Sequence, residues 1–335
     1  MHLTLLVPGL LWPREILRDT TFDLPLPALS RLLGRGRRWS LPGEEAWQAD
    51  MFDLDEPLPA AALRLLGDGG WPGDATWLCL DPVHLRVAER MIIVDDPSRL
   101  ALTAEEDAAL RQAVAPLFEP LGEMVAPRPG HWHLRMTAPA MIETRPLYQA
   151  AGRPAEPTLP GGADGPAWRK LLAEAQPLLH AHPVNRVREA NGRPTVNTLW
   201  PWGPGRLPAP ASHGTRRSFD RIWADEPILK GLAVRAGISC ETPPARFTMA
   251  SGRVLARLDH LSGSLADFDA MSWREALTRL EADWLAPALA ALRSGRCGRL
   301  TLIATGHDRA TALAATPHDL WRFWRPAVTL ADWAS

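Results

Sequence analysis

The chain has 335 residues, of which 46% are hydrophobic and 22% charged, enough for one large domain or two around a real core. Its 37 basic and 38 acidic residues leave a formal net charge of −1, which argues against nucleic acid or an anionic membrane as a bulk partner. Cys79, Cys240 and Cys297 lie far apart without a C-x-x-C pair, a pattern that favours reduced thiols in a cytoplasmic protein, and no apolar run approaches the ~18–20 residues of a membrane span.

Residues 2–7 are apolar throughout, as a central parallel strand would be. Pro8 and Gly9 break the run and no basic leader precedes it, so it does not read as a signal peptide. Residues 26–33 form an amphipathic helix pattern ending at Gly34, and 44–51 and 60–66 read as helices separated by Pro57 and Pro59. The stretch DGGWPGD, 68–74, is a loop. Residues 76–80 and 91–94 are strand-like. Thr103-x-x-Glu106 is a capping box opening a helix to about Phe118, and 131–136 is a further strand. Two strands, a helix and a strand in this short span predict a compact α+β insert over 74–136.

Residues 137–166, rich in Pro, Gly and Ala, read as a linker. A helix over 168–180 carries Leu171, Leu172, Ala175, Leu178 and Leu179 on its apolar face, and Pro177 predicts a kink or break. A strand at 196–200 runs into a loop at 201–210, and 217–237 is mixed. The longest helix is expected over 273–292, with Ser272 as N-cap and Glu275 as its capping-box partner. Residues 298–305 read as a buried strand and 318–324 as a terminal helix. The alternation points to an α/β core with a mainly parallel sheet, whose ligands sit at the carboxyl ends of strands, here after Val7, Trp200 and Thr305.

Residues 171–208 hold the densest polar and aromatic set. Asn and Arg present fixed donors suited to carboxylate or phosphate, so His182, Asn185, Arg188, Asn197, Trp200 and Trp202 are the candidate wall of a ligand site, with Arg193 beside them. The competing reading is loop bracing by the Asn and Arg and core packing by the Trp rings. His180-x-His182 is weak as a metal motif, and His131 and His133 share a strand face best read as a covered sheet surface. Asp81, His84 and Arg86 follow a strand, where Asp before Pro is a turn former. Arg35, Arg37 and Arg38 read as a solvated turn. Trp321 and Trp324 at i, i+3 mark one face of the last helix, packed in the core or forming a homodimer contact.

Four segments carry a family resemblance: WLCLDPVHLR (77–86), LLAEAQPLLHAHPVNRVRE (171–189), VNTLWPWGPG (196–205) and HDLWRFWRP (318–326). In order and spacing the chain resembles the RpfE-type bacterial regulatory proteins, themselves similar to the archaeal-type cofactor-independent phosphoglycerate mutases of the alkaline phosphatase superfamily. The resemblance implies an alkaline-phosphatase-like α/β core, 1–73 and 137–335, with a mainly parallel sheet flanked by helices and the α+β subdomain 74–136 inserted. It also implies, for active members, a metal-binding Asp in an Asp-Gly pair ending the first strand and a Ser nucleophile in an early Ser-Asp pair. Here Pro8-Gly9 stands at the first position, and no Ser-Asp pair occurs in the first hundred residues. The late acidic and histidine residues, Asp259, His260, Asp267, Asp269, His307 and Asp308, lack the mutases' pattern. The expectation is a degenerate, non-catalytic relative that needs no cofactor and binds a small anionic ligand or a protein partner. The alternative is a divergent phosphoglycerate mutase or phosphatase holding manganese or zinc on Asp259, His260, His307 and Asp308.

Overall fold

The computed structural model describes residues 1–88, 91–156, 159–208, 218–266, 269–306 and 309–334. Its strands, in chain order, are β1 (His2–Leu11), β2 (Arg37–Leu41), β3 (Thr76–Val83), β4 (Leu85–Ala88), β5 (Met91–Val94), β6 (Gly122–Arg128), β7 (His131–Met136), β8 (Thr198–Arg206), β9 (Arg221–Trp223), β10 (Ser239–Glu241), β11 (Arg253–Arg257), β12 (Arg299–Gly306) and β13 (Ala310–Ala315). The chain divides into two compact units, one of Met1–Pro57, Ala211–Glu226 and Leu232–Ser335, the other of Leu58–Pro210 and Pro227–Gly231.

The first unit is built on a seven-stranded sheet of order β10-β9-β11-β1-β12-β13-β2. The five strands from β10 to β12 run parallel, and antiparallel pairing of β12 with β13 and of β13 with β2 completes the sheet. This is the expected mainly parallel α/β core. Central β1 is buried from Leu5 to Leu11, which explains its unbroken apolar sequence: a parallel strand with both faces covered has no solvent side. Leu29 and Leu32 from the helix Pro27–Arg35 pack with Leu277, Leu280, Leu289 and Leu292 from the long helical segment into one core with β1 and β12. That segment starts at Ala270, capped by Asp269 rather than Ser272: the Asp269 carboxylate accepts from the Ser272 amide at 3.0 Å. It passes through a π-helical turn, Glu281–Leu285, before continuing as Ala286–Arg293. There the buried Glu281 carboxylate reaches the first turn of Pro27–Arg35 and accepts from the amides of Ala28 (2.6 Å) and Leu29 (3.0 Å). Two of that helix's orphan donors are thus capped from a distant part of the chain.

Arg37 and Arg38, expected in a turn, open the edge strand β2. The expected terminal helix over 318–324 is a 3-10 turn, His318–Trp321, and Trp321 and Trp324 are exposed rather than packed in the core.

The second unit has a four-stranded antiparallel sheet of order β6-β7-β3-β8, with the hairpin β4-β5 beside it in sequence. The sequence boundary of 74–136 takes in β3 to β7 but omits β8, which pairs with β3 from Thr76 to Val83. It also omits the helix Gly165–Ala181, whose Trp168, Leu172, Ala175 and Leu179 pack with Phe118, Trp132 and Leu134 in one core. The compact unit is larger for that reason. The capping box at Thr103 and Glu106 forms as expected. Residues 201–206, expected as loop, continue β8 despite Pro201 and Pro204, because an edge strand can spare amide donors. Helix Gly165–Ala181 runs through Pro177 without a break.

Candidate functional site at the carboxyl edge of the main sheet

In a parallel α/β sheet the strand carboxyl ends gather residues from distant parts of the chain, and ligands bind there. In the first unit Leu6 of β1 lies in register with Arg257 of β11 and with Ile303 of β12. Pro8, the residues after Arg257, and Thr305 therefore share one edge. At Gly9 the backbone turns with φ +80, and an added Cβ would lie 2.7 Å from the Leu261 carbonyl oxygen, so only glycine fits this crossing.

Arg257 dominates the edge. Its side chain is 9% exposed, its Nε donates to Asp259 Oδ1 at 2.8 Å, and its Nη1 pairs with Glu44 Oε1. Glu44 opens the helix Glu44–Met51, where a carboxylate also complements the amino-terminal dipole. Its other oxygen accepts from Thr305 Oγ1 at 3.3 Å, and Gln48 Nε2 donates to Oε1 at 3.1 Å. Burial alone would lower the Arg257 pKa, but the charges of Asp259, Glu44 and Glu226 outweigh it and hold the guanidinium protonated. The edge thus carries a fixed protein cation between carboxylates drawn from two separate segments.

The six wall residues fall in the second unit, and their polar groups are engaged by the protein itself. Asn185 Nδ2 donates to the carbonyls of Leu179 (2.8 Å) and Val196 (2.6 Å), and its Oδ1 accepts from the Val196 amide at 3.0 Å. Asn197 exchanges two hydrogen bonds with the Leu85 backbone, at 2.7 and 2.8 Å, as a strand residue would. His182 caps the helix Pro183–Ala190, its Nδ1 accepting from the Val184 amide at 3.2 Å. Trp200 Nε1 donates to the Arg145 carbonyl at 2.9 Å. Arg188 is wholly buried: Nε donates to the Pro194 carbonyl at 2.8 Å, Nη1 pairs with Glu106 at 2.6 Å, and Nη2 donates to the Leu100 carbonyl. Arg193 reaches the same Glu106 at 3.0 Å. Arg188→Ala is therefore expected to lower the unfolding free energy by about 3–5 kcal/mol, the usual cost of breaking a buried ion pair, read as a shift in urea midpoint. Unchanged stability would remove the bracing role.

Trp202 belongs to a network that the sequence did not single out as a unit. The Asp81 carboxylate accepts two bonds from Arg64, both 2.6 Å, and one from Trp202 Nε1 at 2.8 Å. Arg64 also donates to His133 Nε2 at 3.2 Å and to the Trp132 carbonyl at 3.0 Å, and its guanidinium lies 5.1 Å over the Trp202 ring. All four side chains are buried. Burial, together with the charges of Arg64 and His131, pushes His133 down to about 2, so it is neutral, while burial pushes the Cys79 thiol up. His131, on the same strand face, pairs with Asp68 at 2.7 Å. Asp81 sits inside β3 rather than in a turn, His84 contacts the Thr195 carbonyl at 2.8 Å, and Arg86 pairs with Asp95 at 3.1 Å.

No family model matches the chain. A 2,3-bisphosphoglycerate-independent phosphoglycerate mutase of Methanothrix thermoacetophila is 30% identical over 177 residues, covering 50% of this chain and 44% of that protein. One from Methanosarcina barkeri is 32% identical over 102 residues, 30% of this chain and 25% of that protein. The chain is distantly similar to the cofactor-independent phosphoglycerate mutases. It matches less than half the length of these curated relatives. The cofactor-independent phosphoglycerate mutase of Thermoplasma acidophilum superposes with a TM-score of 0.52 at 17% identity, covering 100% of this chain and 94% of that one. A protein of Pyrococcus horikoshii superposes at 0.55 with 14% identity, covering 98% and 91%. At these identities the likeness establishes the mutase-like, alkaline-phosphatase-like fold alone.

A two-metal centre of the kind the resemblance implies for active members needs several ligands converging within a few ångströms. Among the described residues no three His, Cys, Asp or Glu side chains gather in that way. Of the four metal candidates, Asp259 is tied to Arg257, its neighbour His260 is exposed, and His307 and Asp308 lie outside the described residues, as does Asp267. The Pro8 side chain has no ligand atom to offer. The described residues at this edge do not fit a metal pair. Arg257 and Glu44, which define the edge instead, had one signal in the sequence: an arginine closing the apolar run Val254–Leu255–Ala256.

Proposed function

We propose that this chain is a non-catalytic relative of the cofactor-independent phosphoglycerate mutases that works as a ligand-binding or regulatory protein. The observation that carries the reading is the buried Arg257 guanidinium bonded to Glu44 and Asp259 at the carboxyl edge of the main sheet. A guanidinium there supplies the positive charge that the carboxylates require, yet unlike a metal ion it has no coordination position in which to bind and activate a nucleophile. Proline at position 8 supports the same reading. The narrower assignment to the RpfE-type regulatory proteins belongs to this proposal and rests on the four sequence segments. Three free cysteines are compatible with a reducing, cytoplasmic setting. Among the described residues no helix is long and apolar enough to cross a membrane.

The test is turnover of 3-phosphoglycerate and of a generic phosphomonoester, with manganese, zinc, cobalt or magnesium added in turn. The expected result is no turnover above that of an Arg257→Lys control. Metal-dependent interconversion of 3- and 2-phosphoglycerate by the unmodified chain would overturn the proposal and restore the enzymatic reading.

A further inference from the structure

The first unit has a second feature, at the opposite edge of its main sheet. A groove of about 640 Å³ is lined by Arg37, Arg38, Arg299, Arg322 and Arg325, with Asp319 as the only acidic side chain among the described residues that line it. The arginines converge from three separate stretches of chain. Arg37 and Arg38 open β2, Arg299 opens β12, and Arg322 and Arg325 follow the 3-10 turn His318–Trp321. Register holds the strand ends together: Arg37 pairs with Ala314 at the close of β13, and Arg299 pairs with His2 at the start of β1. At about 3.3 Å per strand residue, the groove lies roughly 20 Å along β12 from Thr305, so it is separate from the Arg257 edge.

The charge in the groove is poorly compensated. Asp319 accepts from the amide and hydroxyl of Thr316 at 2.9 and 2.7 Å, and pairs with Arg322 at 3.0 Å, so one carboxylate answers one guanidinium. Arg38, engaged elsewhere and lying 5.2 Å over the Trp333 ring, is not one of the uncompensated charges. Among the described residues no carboxylate pairs with Arg37, Arg299 or Arg325. Three guanidinium groups without a carboxylate partner among the described residues thus gather at one concave place on a chain of net charge −1. Like charges repel, so such a cluster favours an anion that neutralises it.

We propose that this groove binds a small ligand bearing a di- or triphosphate. Guanidinium forks match phosphoryl oxygens bidentately, and several forks directed at one cavity suit a chain of phosphoryl groups better than a single carboxylate. The volume falls in the range of small-molecule sites, roughly 300–1,000 Å³. The concave arrangement favours a compact ligand over a flat membrane or an extended polyanion. The inference stands independently of whether the Arg257 edge is catalytic.

Calorimetric titration of the full chain with inorganic tripolyphosphate at low salt tests it. Saturable one-to-one binding is expected, weakening by at least about tenfold for each charge removed in Arg37→Ala and Arg299→Ala. Both side chains are exposed, so both variants should keep the parent's thermal midpoint. Absence of binding by the parent chain at millimolar tripolyphosphate would overturn the proposal, as would equal binding by the parent and the double variant. Binding to phosphatidylserine vesicles or single-stranded DNA that tripolyphosphate fails to displace would also overturn it, in favour of a macromolecular surface.

Discussion

Replacing Asp81 by alanine is expected to cost about 3–5 kcal/mol of unfolding free energy, and by itself to bring the second unit close to its limit of stability. The substitution strands the buried Arg64 guanidinium without its bidentate partner and leaves the Trp202 indole without an acceptor. The loss should exceed that of a double replacement, Arg64→Met with Asp81→Leu, which removes both charges and the need to solvate them. Urea unfolding of parent, single and double variants measures this, and a double variant as unstable as Asp81→Ala would refute it. The same network predicts a pH dependence. His133 is held at about 2 when folded, well below its ordinary 6.5, first by burial and then by the nearby positive charges. The unfolded chain thus takes up a proton that the folded chain refuses. The stability contributed by neutral His133 is complete above about pH 6.5 and declines as pH falls from there towards 2, by up to about 1.4 kcal/mol per pH unit. His133→Asn should flatten this slope between pH 6.5 and 4, and an unchanged slope would assign it elsewhere.

Arg257→Leu is expected to have an effect of similar size in the first unit, again about 3–5 kcal/mol. It removes the only cation bonded to Glu44 and Asp259 among the described residues, and Glu44, whose side chain is 13% exposed, loses that counter-charge. Arg257→Lys should lose less, because the charge survives while the fork that spans both carboxylates does not. In Arg257→Leu a divalent cation becomes the natural replacement for the lost charge. Millimolar manganese should therefore raise the thermal midpoint of the variant and leave the parent's unchanged. If manganese moves both equally, Arg257 is not what occupies the edge.

The main sheet was legible in the sequence because a doubly covered parallel strand leaves a plain record: 2–7 and 298–305 are short runs dominated by Leu, Ile, Val and Ala, and both are central strands. The capping box at Thr103 and Glu106 was legible because every group in it is local. Features that depend on distant partners were not. The π turn at Glu281–Leu285 accompanies a carboxylate that serves Ala28 and Leu29, and nothing near Glu281 in sequence records them. Asp269 displaced Ser272 as N-cap because both are good cap residues and the pattern alone does not choose between them. Residues 201–206 read as loop from their Pro and Gly content, yet they form an edge strand, where missing donors go unpenalised.

The candidate site shows the same division. Over 171–208, dense in Asn, Arg and Trp, polar side chains serve backbone groups of neighbouring segments. Asn185 and Asn197 complete hydrogen bonds for segments that lack regular partners, and Arg188 ties three segments together. Arg257 carried little sequence signal because its meaning lies in Glu44, which is 213 residues away. The arginine groove is likewise an assembly of β2, β12 and the 318–325 region, read in sequence only as a solvated turn and a helix face.

Manganese content after equilibrium dialysis of the unmodified full chain, purified without chelator, distinguishes a guanidinium-filled edge from a metal-filled one. With Arg257 holding Glu44 and Asp259, no stoichiometric manganese should remain bound. Tightly held manganese that disappears in Glu44→Gln and Asp259→Asn would contradict the account, because it would mean that those carboxylates serve a metal rather than the guanidinium.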